Sequence, residues 1–120
     1  MKKNTVFVLM FIGLICSFTL AFAKHHTAED RGKAHFNNAT FAAGKKSCST
    51  CHPNGRGLEE AGAKKTFNIM GGEQGNLETV INVCITNATK GTALDVNSTE
   101  MQELASYIRS LGSAGSGNTK

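Results

Sequence analysis

Cys48-Ser49-Thr50-Cys51-His52 constrains this chain more than any other feature. The pattern C-x-x-C-H is the attachment motif of c-type haem. Two thiols at this spacing add across the two vinyl groups of one macrocycle. The next residue, His52, is then held beneath the iron and supplies an imidazole nitrogen as proximal ligand. Three rival chemistries fit less well. A thioredoxin-like dithiol needs a βαβ context, and no strand-like alternation stands beside the motif. A zinc site needs a second ligand pair, but only Cys84 lies downstream, and His25, His26 and His35 lie upstream in no such pattern. A disulfide between Cys48 and Cys51 would close a loop too short to stabilise much. The motif occurs once, so the expectation is one haem c, held by Cys48 and Cys51.

Residues 5–23 (TVFVLMFIGLICSFTLAFA) are apolar almost throughout and follow Lys2 and Lys3. That is the pattern of a secretory signal, ending in the A-x-A cleavage site Ala21-Phe22-Ala23. The competing reading is an uncleaved anchor, since about eighteen apolar residues just span a bilayer. A lipid anchor at Cys16 fits poorly, because Ile15 precedes it where a small residue is usual. Cleavage after Ala23 implies a periplasmic protein with no membrane span, which suits haem attachment outside the cytoplasm. It also removes two of the 13 basic residues and lowers the net charge from +4 to +2. No nucleic-acid argument can rest on so weak a bias. The expected organisation is a signal peptide at 1–23, one cytochrome c domain at 24–112 and a flexible polar tail at 113–120.

The rest of the chain reads as helical. Thr27 caps a first helix with Glu29 and Asp30 in its first turn, running to about Phe36 or Asn37. Gly32 and Phe36 share one face of it. A mid-helix glycine is tolerated either for a close helix approach or because a short helix frays anyway. Residues 38–47 form a loop into the motif. Residues 53–76 are glycine-rich and irregular, a length that makes sense if the segment wraps a cofactor. Asn76 caps a second helix over 77–90, with Leu77, Val80, Ile81, Cys84, Ile85 and Ala88 as its apolar stripe and Gly91 as its C′ residue. A last helix opens at Asn97 with Glu100 as capping partner, carries Met101, Leu104, Ala105, Ile108 and Leu111 inward, and ends at Gly112.

Several residues could complete the iron's coordination. Met101 sits on a helical stripe, where a Met is commonly core. Met70 lies in the flexible segment only eighteen residues from His52. His35 could also reach. Cys84, on an apolar helix face, is either a buried inert thiol or a bound one, because an unpaired Cys is a liability in an oxidising compartment. The few large side chains of so small a domain also call for a cofactor to cover. The chain without haem is therefore expected to be largely unfolded.

Two resemblances carry the reading further. RGKAHF followed by KKSCSTCH, with EMQELASYIRSL near the end, resembles the first helix, haem motif and closing helix of class I c-type cytochromes. That resemblance implies a small all-α fold around one covalent haem, used to carry single electrons. It also implies a close helix crossing that gives Gly32, Phe36 and Tyr107 a role. The loop KGTALDVNST lacks the Met that this class places before its last helix. Its usual proline is also absent: Pro53, the only one, directly follows His52, so the acceptor for the second His52 nitrogen is unidentified. INVCITNATKGTALDVNSTEMQELASYIRSL is similar to haem domains of thiosulfate-oxidising cytochromes, and this resemblance implies Cys84 as distal iron ligand.

The expected function is electron transfer with redox partner proteins. The alternative is a haem subunit of a thiosulfate-oxidising enzyme, and a third reading is a haem sensor with an open distal position. Lys45, Lys46, Lys64 and Lys65 flank the motif in sequence. They are either solvated doublets or a docking rim for acidic partners.

Overall fold

The computed structural model describes residues 26–114. The segment expected to be a signal, its cleavage site and residues 115–120 lie outside the described residues. Three helices frame the domain: α1 (Ala28–Asn37), α2 (Leu77–Asn87) and α3 (Thr99–Ala114). No described helix is long and apolar enough to cross a membrane.

α1 begins as its residues dictate. The Thr27 hydroxyl accepts from the Asp30 amide, and the Asp30 carboxylate accepts from the Thr27 amide, a reciprocal capping box. Its inward face carries Gly32 and Phe36 onto α3. A Cβ on Gly32 would lie 2.0 Å from the Glu103 carbonyl oxygen and 2.8 Å from Tyr107 Cβ. Of the two reasons for a mid-helix glycine, close approach is therefore the operative one. Phe36 then meets Tyr107 edge-on, with ring centroids 5.2 Å apart. Phe36, Met101, Leu104 and Ala105 are essentially inaccessible to solvent and form the centre of the core with Ile81, Ile85 and Ile108.

Polar contacts fix the crossing as well. Glu103, on α3 and almost buried, receives the Arg31 guanidinium and His35 Nε2 (2.9 Å), both from α1. These hydrogen bonds, Arg31's first and then His35's, hold the Glu103 carboxyl below the usual carboxylate range. His35 also stacks on Phe41 at 4.5 Å. On the other side, Arg109 of α3 pairs with Glu78 of α2 at 2.5 Å.

The expected all-α fold needs one correction. Within the 53–76 segment lies a two-stranded antiparallel hairpin, β1 (Phe67–Ile69) and β2 (Gly72–Gln74), in register Phe67↔Gln74, Asn68↔Glu73 and Ile69↔Gly72. Met70 and Gly71 both take left-handed φ (52° and 78°), as a primed hairpin turn requires. The usual Asn-Gly signal is replaced by Met-Gly, and three-residue strands are too short to display alternation. The same segment also holds single 3₁₀ turns at Pro53–Gly55 and Ala61–Ala63. The protein is thus mostly helical with one small sheet.

Helix ends differ too. α2 stops at Asn87, and the left-handed residue after it is Lys90 (φ 60°) rather than Gly91. Gly91 is required for space: a Cβ there would lie 2.6 Å from the Ala42 carbonyl oxygen. Beside it, the Lys45 amide donates to Thr89 O (2.8 Å) and the Thr92 amide to Ala42 O (2.7 Å), stitching the 38–47 loop to the chain after α2. α3 starts one turn-residue later than Asn97, with Ser98 Oγ accepting from the Met101 amide (3.3 Å). It runs through Gly112, whose Cβ would meet the Glu59 carbonyl at 2.7 Å. That glycine admits a neighbouring chain segment instead of ending a helix.

Candidate functional site

The motif folds as one tight turn. Cys48–Thr50 is a 3₁₀ turn, with the Cys51 and His52 amides both donating to the Cys48 carbonyl at 3.2 and 3.0 Å. Residues three apart in such a turn eclipse one another, which brings both thiols to one side. Pro53 then forces His52 out of helical geometry, to φ −119° and ψ 66°.

The following Pro53–Gly55 turn carries the Arg56 carbonyl back to His52, whose Nδ1–H donates to it at 3.0 Å. A carbonyl can only accept, so the proton sits on Nδ1 and Nε2 is left with its lone pair for a metal. The acceptor that the sequence leaves unidentified is thus the Arg56 backbone, four residues on. No side-chain signal could have revealed it.

His52 lines a cavity of about 460 Å³, within the roughly 300–1,000 Å³ of cofactor pockets. α1 contributes Phe36, α2 contributes Leu77, Val80 and Ile81, and α3 contributes Leu104 and Ile108. The 53–76 segment contributes Leu58 and Ala61, and Phe67 and Ile69 of β1. Cys48, His52 and Cys84 line the same space. Cys51 is exposed and is not among the lining residues.

The other candidate ligands fall elsewhere. Met101 is wholly inaccessible in the core, and Met70 stands 67% exposed at the hairpin tip. His35 is engaged by Glu103 and Phe41. Of these candidates, Cys84 alone shares the cavity with His52. Lys64 lines the cavity too, while Lys45, Lys46 and Lys65 are exposed outside its lining.

Burial, with the nearby Cys84 as second cause, pushes the Cys48 thiol up to about 11. Burial first and Cys51 second push the Cys84 thiol up as well. In the protein alone, burial therefore disfavours the thiolate form of both. A cation at the site reverses that logic, because a metal deprotonates a coordinating thiol outright.

Asn82 is a residue that sequence reasoning passes over. Its Nδ2 donates to Leu94 O and its Oδ1 accepts from the Leu94 amide, both at 2.8 Å. This clamp ties the chain before α3 to α2, one half-turn from Cys84. An amide flanked in sequence by apolar Ile81 and Val83 is the available signal, since such a group needs partners.

Two thiols on one turn, an imidazole with one nitrogen free, and a largely apolar cavity of this volume suit a metallo-macrocycle. Comparison with known proteins agrees. The family model described as SoxA/TsdA, cytochrome c domain, matches residues 31–116, from α1 to beyond the end of α3. No curated protein and no solved structure matches the chain. The chain therefore belongs to the SoxA/TsdA cytochrome c domain family, and its cofactor is covalently bound haem c.

Proposed function

We propose that this chain is an exported electron carrier with one haem, anchored by Cys48 and Cys51 and axially bound by His52 and Cys84 in a low-spin, six-coordinate site. The observation that carries the reading is the shared cavity: His52, with its Nε2 free, and Cys84 line the same apolar space. When bound, the haem supplies a one-electron ferric/ferrous couple. Arg56, through its carbonyl, fixes the tautomer and orientation of His52 and raises its basicity. Cys84 offers a sulfur that becomes electron-rich on deprotonation and so favours the ferric state, whereas Met/His ligation raises the potential. The apolar side chains lining the cavity would limit the access of water to a bound haem. Residues 1–23 act as the export signal, cleaved after Ala23, and the carrier works in the periplasm with protein redox partners.

Mass spectrometry of the denatured protein tests the anchoring. One haem per chain on the peptide holding Cys48 and Cys51 is expected, and Cys84→Ala should retain it. Haem that washes off under denaturation would overturn the reading.

Family membership favours a second reading, a haem subunit in thiosulfate oxidation. Thiosulfate turnover by the purified chain, alone and mixed with candidate partner chains, separates the two. Turnover that requires this chain supports the subunit, and reduction of this haem without turnover by it supports the carrier.

A further inference from the structure

The polar chemistry of the cavity is confined to one stretch of chain. Apart from the thiols and imidazole already assigned, its lining side chains are apolar except Lys64, Thr66 and Asn68. These hold alternate positions from extended Lys64 into β1, so they fall along one edge. All three are exposed. None has a side-chain hydrogen bond or ion pair with another described residue.

A haem carries two carboxylates on one edge of its ring. A carboxylate pressed against apolar side chains costs several kcal/mol unless it is paired and hydrogen-bonded. Walls made of Phe36, Leu77, Ile81, Leu104 and Ile108 therefore reject that edge, and the remaining lining offers a single alternative.

We infer that the Lys64–Thr66–Asn68 edge receives the haem carboxylates, with Lys64 as the pairing cation and Thr66 and Asn68 as neutral hydrogen-bond donors. The inference rests on the reading in which Cys48, Cys51 and His52 hold the same haem. It gives the hairpin a role, since β1 presents Phe67 and Ile69 to the ring and Asn68 to its charged edge. It also makes Lys64 a positioning residue that tunes the iron. A positive charge beside the carboxylates offsets their negative charge and eases reduction.

The test is potentiometry of the purified holoprotein at low salt, with Lys64→Gln, Lys64→Arg and Lys65→Gln. Lys65 is the neighbouring exposed cation and is not among the cavity-lining residues. Lys64→Gln should lower the equilibrium constant for reduction severalfold, where tenfold is 59 mV for one electron. Lys64→Arg should restore the wild-type potential. Lys65→Gln should give a clearly smaller change. Proton resonances of the haem carboxylate arms should move in Lys64→Gln and stay in place in Lys65→Gln. Equal effects at the two lysines, or none at Lys64, would overturn the inference. Those outcomes with haem still covalently attached leave the anchoring intact; loss of covalent haem from the wild type would instead sink the anchoring itself.

Discussion

The α1–α3 crossing and the 53–76 segment are built on opposite principles. The crossing is fixed by contacts of protein with protein: Gly32 lets two backbones touch, Phe36 and Tyr107 interlock, and Glu103 is clamped by Arg31 and His35. The 53–76 segment buries little against itself. Its Leu58, Phe67 and Ile69 are only partly buried and line the cavity, Leu58 and Phe67 also touching the edge of the core. Where a region packs protein on protein, each residue carries its reason locally. Where it packs on a cofactor, it makes sense only with that cofactor counted.

The largest expected effect comes from withholding haem. At about 24 cal/mol per Å³, a closed cavity of 460 Å³ would cost on the order of 10 kcal/mol, comparable with the whole stability of a domain (about 5–15 kcal/mol). The cavity is open at one side, so that figure is an upper bound. Chain made without haem should show little helix by circular dichroism, and residual protection from hydrogen exchange should favour α1 and α3. Native helicity, or protection centred on 53–76, would break the comparison.

Gly32→Val is next. The added Cβ has no room against the Glu103 carbonyl, so the crossing must open, at a cost of about 4 kcal/mol or more. Folded holoprotein should fall sharply in yield and melting temperature. The matching change in the other region, Gly71→Ala, meets nothing within 4 Å and strains only a φ of 78°, worth about 1 kcal/mol. Similar losses from both variants would show that the two regions do not differ as described.

Asn82→Ala should cost about 1–3 kcal/mol, because it strands the amide and carbonyl of Leu94. Exchange of the Leu94 amide should accelerate while that of α1 does not. Uniform acceleration would mean that the clamp is not local.

The smallest effect depends on pH. Glu103 has a folded pKa held below its unfolded value, so its contribution is present above the ordinary carboxylate range, near pH 4.3, and is lost as pH falls through the folded value. Melting temperature should drop through that acid window in the wild type and less steeply in Glu103→Gln. Parallel curves would remove Glu103 from the crossing.

Legibility in the sequence follows the same division. The Thr27 cap, the stripe of α2 and the inward face of α3 can each be read, because capping chemistry or helical spacing marks them. Phe67 and Ile69 cannot be assigned to strands, since three residues facing a cofactor leave no periodicity and Met70 disguises the turn. Gly91 and Gly112 read as helix punctuation, whereas each makes room for a backbone segment distant in sequence: Ala42 for one and Glu59 for the other. At the site, Cys48, Cys51 and His52 are visible because chemistry fixes their spacing. The Arg56 carbonyl is not, because a backbone acceptor has no residue identity.

Electron paramagnetic resonance of the purified ferric holoprotein, wild type beside Cys84→Ala, bears most directly on the pairing of His52 with Cys84. The wild type should give a low-spin spectrum of thiolate-ligated iron, and Cys84→Ala should convert it to a high-spin or differently ligated form with haem still attached. An unchanged low-spin spectrum in Cys84→Ala would contradict the account and make Cys84 a core thiol.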